Sequence, residues 1–202
     1  MVSLHYFDII CLLSHKDIPM KTNFLKTLLL LTLFLGTALH ADFINQPKEI
    51  IDANANAAIQ QFYKDVKGGE AFLSKVKGYL VFPSVVKAGF VVGGKYGEGV
   101  LRVDGKSVGY YSIAAGSVGF QLGAQKASYI IAFVTQDALD KFMKSNGWEA
   151  GVDGAITVAK WGAGTDISTI SYQNPIYAFV FGEKGLMYNL NLEGTKFTKL
   201  NR

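Results

Sequence analysis

The chain has 202 residues, half of them hydrophobic, and carries 20 Lys and Arg against 16 Asp and Glu, for a net charge of +4. One cysteine excludes a disulfide framework, and so mild a basic excess does not by itself call for nucleic acid, which is not expected as a partner. Cys11 and the three histidines (His5, His15 and His40) all precede residue 42.

From Met20 the chain reads MKTNFLKTLLLLTLFLGTALHADF, with two lysines, an apolar run over about 28–35 and small residues ending at Ala41. That is the pattern of a secretory signal peptide at 20–41, with a run too short to span a bilayer. Residues 1–19 precede a complete signal, so translation is expected to start at Met20. Cys11 follows bulky Ile10 with no signal before it and is not read as a lipid-attachment site. The expected product is an exported protein, periplasmic and peripheral to the membrane or secreted, formed by one domain over 42–202.

Without residues 1–41 the chain keeps 17 basic and 14 acidic side chains and no His or Cys. Ser-His-Asp and Cys-His catalysis, thiolate or imidazole zinc sites and CxxC redox chemistry are then excluded. No metal or other cofactor is expected.

The first element reads as a helix. Pro47 suits its first turn, Asn45 or Gln46 can cap it, and Ile51, Ala55, Ala58, Ile59, Phe62 and Val66 recur at helical spacing. A second helix is expected from Glu70 to Lys77, closed by Gly78. It sets Ala71, Phe72, Leu73 and Val76 beside Lys75 and Lys77. Two readings stay open: a solvated face, or a basic amphipathic helix lying on an anionic membrane.

From Tyr79 the texture is β. YLVF is expected to stop at Pro83-Ser84, with VVKAGFVVGG and GVLRV following and Asp104-Gly105 turning the chain into KSVGYYSI. The stretch GFVVGGKY at 89–96 falls one residue pattern short of a phosphate-binding P-loop, with Tyr96 where a metal-ligating hydroxyl would stand. Its Phe-Val-Val core favours extended backbone. Gly89, Gly93, Gly94, Gly97 and Gly99 are therefore read as marks of a bent, tightly packed sheet.

GSVGFQLGAQ and ASYIIAFVT come next, then a helix over 136–145 with Ala138, Leu139, Phe142 and Met143 inward. WEAGVDGAITVA, a Gly-rich turn around Trp161, a polar strand TDISTISY, the strand IYAFVF after Pro175 and the alternating LMYNLNLEGTKFTKL complete the chain. The fold class is α+β, mainly β. One domain is expected, with N-terminal helices packed on a strongly curved, Gly-rich antiparallel sheet or barrel of about nine or ten strands.

Only carboxylates, lysines, hydroxyls and backbone groups remain for catalysis. Glu98, Glu149, Asp153 and Asp166 lie in Gly-rich apolar stretches, and two carboxylates flanking a sugar could hydrolyse an envelope glycan. Glu149 and Asp153 share a face if WEAGVDG is a strand. Core packing is expected for Phe90, Phe120, Phe133 and Phe179. Trp161, among glycines in a turn, is a candidate membrane or ligand contact.

Four stretches, YLVFPSVVKAGFVVGGKYGEGVLRV, VGYYSIAAGSVGFQLGAQ, GWEAGVDGAITV and FVFGEKGLMYNLNLEGTKFTKL, together resemble the SYLF domain family over about residues 47–200. The resemblance implies a non-enzymatic module for anionic phospholipid, with a basic N-terminal helix as the membrane contact. On this sequence the contact would involve Lys64, Lys67, Lys75, Lys77 and Lys87. It leaves the protein partner unknown. A glycan hydrolase or a structural protein of the outer membrane is the alternative.

Overall fold

The computed structural model describes residues 45–89, 92–118, 123–159, 166–167, 170, 172–182, 185–186 and 192–202. The chain divides into two units, Met1–Asp42 and Phe43–Arg202, and all the described residues belong to the second. The expected signal peptide and the stretch before it, Phe90, Phe120 and the turn with Trp161 lie outside the described residues.

Helix α1 spans Lys48–Asp65 and buries Ile51, Ala55, Ala58, Ile59 and Phe62, the stripe its helical spacing predicts. Pro47 occupies the N-cap position, which no side chain caps. The backbone N–H groups of Asn45 and Gln46 are held instead by Glu98, far along the chain. Helix α2 is only Gly69–Leu73, five residues, and its Phe72 and Leu73 are buried. The expected helix to Lys77 is thus too long by a turn: Lys75 and Lys77 follow it, and Gly78 opens a strand rather than capping a helix.

Strand β1 runs Gly78–Gly89, straight through the expected stop at Pro83. Its register with β2 (Val92–Val103) skips between Val81 and Ser84, and that with β4 (Gly123–Phe133) skips between Phe82 and Val85. Proline cannot donate to the ladder, and a bulge at that position removes the need. The bulge presses on β2. A Cβ on Gly99 would lie 2.2 Å from the Val81 carbonyl oxygen, and one on Gly97 2.6 Å from that of Ser84. This is what two of the sequence's many glycines are for. The stretch GFVVGGKY ends in a strand, not the helix a P-loop requires, and Gly89 pairs with Gly93 across the hairpin.

Asp104 (φ 49°) and Gly105 (φ 74°) make the expected two-residue turn into β3, Lys106–Val118. After β4, helix α3 (Gln136–Lys144) starts with the Thr135 hydroxyl accepting from the Ala138 N–H at 3.3 Å. It buries Ala138, Leu139 and Phe142, whereas Met143, expected inward, is 38% exposed. Two-residue strands β5 (Trp148–Glu149) and β6 (Thr157–Val158) precede β7 (Ile176–Gly182), β8 (Gly185–Leu186) and β9 (Lys196–Leu200). Asp166, Ile167 and Ile170, within the expected polar strand, are not in a strand.

The nine strands form one curled sheet in the order β5-β9-β3-β2-β1-β4-β7-β6, with β8 paired on β7. Every named pairing is antiparallel except β6 with β7. Each face carries a core. On one, Phe142 of α3 meets Tyr111, Phe133, Trp148 and Phe197. On the other, Phe62 of α1 and Phe72 of α2 pack edge-on against Phe179 of β7. Phe133 and Phe179 are core residues, as expected.

Candidate functional site

The five lysines separate into two places. Lys64 sits in the last turn of α1, Lys67 between the helices, and Lys75 and Lys77 between α2 and β1, all exposed. They surround a short segment docked on the sheet: the Ile167 N–H donates to the Lys67 carbonyl, and the Lys77 N–H donates to that of Phe133. Lys67 is 3.4 Å from the Asp166 carboxylate, and the Lys75 ammonium lies 5.9 Å over the Tyr172 ring. Tyr172 in turn stacks on Phe72 of α2 at 5.4 Å. Among the described residues, only Lys67 of these four forms an ion pair.

Lys87 is nine residues along β1 from Gly78, roughly 30 Å away at strand rise. Of the five lysines that the resemblance implies, Lys87 thus stands on the strand at a distance from the other four. Lys87 faces Lys95 of β2 in register, a residue that the sequence reading passed over. Lys95 is partly buried, with its ammonium 5.6 Å from the Tyr129 ring. Burial, and then the charge of Lys87, lower its pKa from 10.5 to about 8. The spacing held the signal: Lys87 and Lys95 are equidistant in sequence from Val91, so a hairpin turning there pairs them.

The candidate acids are otherwise engaged. Glu98 is 5% exposed and accepts from the N–H groups of Asn45 (2.8 Å) and Gln46 (2.9 Å), the Tyr96 hydroxyl (2.9 Å) and the Arg202 guanidinium (2.8 Å). Burial works to raise its pKa, but these four hydrogen bonds outweigh it and hold the carboxyl below its ordinary value. A carboxylate so fixed does not donate a proton near neutrality. Glu149 is 3.6 Å from Lys196, while Asp153 accepts from the Glu149 N–H. WEAGVDG is a two-residue strand followed by a turn, so these acids do not share a strand face. No group of three or more potential metal ligands occurs among the described residues.

Residues 114–202, from the middle of β3 onward, match the model of a family described as "Ysc84: Las17-binding protein actin regulator". The SYLF resemblance is borne out. A curated relative, "Beta cell expansion factor A" of Aeromonas veronii, is 24% identical over 165 residues, covering 81% of this chain and 61% of its own. The chain therefore spans about three fifths of that relative's length. The family it resembles is associated with lipid binding, and the described residues of this chain contain no assembled catalytic arrangement. No described helix is long and apolar enough to cross a membrane.

Proposed function

We propose that this SYLF protein is a non-enzymatic module that binds anionic phospholipid at the surface of the cell envelope through Lys64, Lys67, Lys75 and Lys77. The observation that carries the reading is the grouping of four exposed lysines around α2 with a single ion-pair partner, Asp166. Between residues 64 and 77 they face only Asp65 and Glu70 in sequence, leaving the stretch positive. Each lysine at an anionic surface contributes about 1 kcal/mol.

The mechanism is narrower than the family resemblance implies. Phe72 and Leu73, the large apolar side chains of α2, are buried against the sheet and are not available for shallow insertion. Attraction between ammonium and phosphate is left as the main force, and it weakens as salt shortens the screening length. Export to the envelope is part of the proposal and rests on the signal pattern at 20–41.

The test is co-sedimentation of the chain with neutral phosphatidylcholine vesicles and with vesicles containing phosphatidylglycerol, at low and high salt. Binding to the anionic vesicles alone, weakened by salt and lost in a Lys75→Glu/Lys77→Glu variant, is expected. Binding unchanged by that variant sinks the assignment of these lysines, and no binding to either vesicle sinks the lipid reading.

A further inference from the structure

At the far end of the sheet, four strands carry a row of residues in register: Ala115 of β3, Lys95 of β2, Lys87 of β1 and Gln125 of β4. The row lies on the face of the α3 core, two residues beyond the row of Ile113, Gly97, Val85 and Ala127. Like charges directly opposite each other on neighbouring strands repel and destabilise the pairing. Proteins ordinarily relieve such a pair with an acidic neighbour. Neither lysine forms an ion pair among the described residues, and the next row outward is Ser117, Gly93, Gly89 and Gly123, with no acid.

Lys95 also loses part of its hydration. Its ammonium sits over Tyr129, whose ring is 3% exposed. Three of the four positions in the outer row are glycine and place no side chain there. Two cations, a side-chain amide and a glycine floor on one face suit a compact oxyanion.

We propose that Lys95, Lys87 and Gln125 form an oxyanion site that takes a phosphate group. The lysines supply charge-assisted hydrogen bonds and the Gln125 amide a neutral one. The phosphate supplies the missing counter-charge, removing the repulsion between the lysines. Burial is the main cause of the lowered Lys95 pKa, and the unneutralised charge of Lys87 lowers it further, in keeping with a pair that lacks a counter-charge. The phosphate can belong to a lipid headgroup or be free in solution. This site stands at the opposite end of β1 from the Lys64–Lys77 surface and does not rest on the lipid reading of that surface.

The probes are inorganic phosphate and phosphatidic acid vesicles, used on the full chain with Lys95→Gln, Lys87→Gln and, as a control on the opposite face, Lys126→Gln. Inorganic phosphate at constant ionic strength is expected to raise the Tm of the wild type and of Lys126→Gln. Loss of one charged donor is expected to weaken phosphate by about tenfold in either of the other variants.

Should a variant fail to fold, the Lys95 side-chain resonance of the wild type gives the answer, because bound phosphate must move its titration midpoint upward. Vesicle binding lost in Lys95→Gln but kept in Lys75→Glu/Lys77→Glu identifies a headgroup phosphate. A response to soluble phosphate alone identifies the free ion. Equal responses in Lys95→Gln and wild type, or an unmoved Lys95 titration with no binding to either probe, overturn the site.

Discussion

Glu98 shows how one residue can look catalytic in sequence and serve a different purpose in the fold. An acid between two glycines on a strand is a reasonable candidate for proton transfer. Nothing in its local sequence reveals that the backbone of Asn45 and Gln46 and the Arg202 side chain converge on it. Its depressed pKa means that it stabilises the fold above its unfolded value of about 4.5, and that this contribution is lost as pH falls through the lower folded value. Glu98→Gln is therefore expected to cost about 3 kcal/mol at neutral pH, the scale of a broken buried ion pair. Urea unfolding at a series of pH values checks this: the gap between variant and wild type should close on the acid side. A pH-independent gap would mean that Glu98 acts through packing alone.

At the scale of elements, local signals were legible and long-range ones were not. The helical stripe of α1, the Asp104-Gly105 turn and the amphipathic α3 are written within a few residues, and each is found where the sequence put it. The passage of β1 through Pro83 was hidden because it depends on Gly97 and Gly99, which give the bulge room from the neighbouring strand. The second helix was overextended for a similar reason. Lys77 donates its N–H to Phe133 and so is already committed to the sheet. The lysine surface was legible as composition, but its division by the length of β1 was not.

What binds α1 to the sheet is equally nonlocal. The Asp52 carboxylate accepts from Arg102 (3.0 Å), Ser107 (2.8 Å) and Tyr110 (2.8 Å), tying the helix to the β2–β3 hairpin. Asp52→Ala is expected to destabilise the protein by about 1–3 kcal/mol, since Arg102 would lose its carboxylate. Chemical denaturation measures it, and an unchanged midpoint would mean that apolar packing alone holds α1.

Across the whole sheet, the bulge at Pro83 divides β1 into two unequal environments. Toward Gly78 the strand lies between both cores, with Leu80, Val81 and Phe82 all buried. Toward Gly89, Val86 and Lys87 are half-buried and Ala88 is exposed, while β2 from Gly94 to Tyr96 is half-buried. The ladder is continuous, but the apolar burial that resists opening is not. Amide hydrogens of residues 85–88 and 94–96 should therefore exchange with deuterium well before those of 79–82 and 99–102. The sheet would then open from its lysine-bearing end while the helix-covered end remains closed. A phosphate held by Lys87 and Lys95 would slow that opening without touching the rest of the molecule.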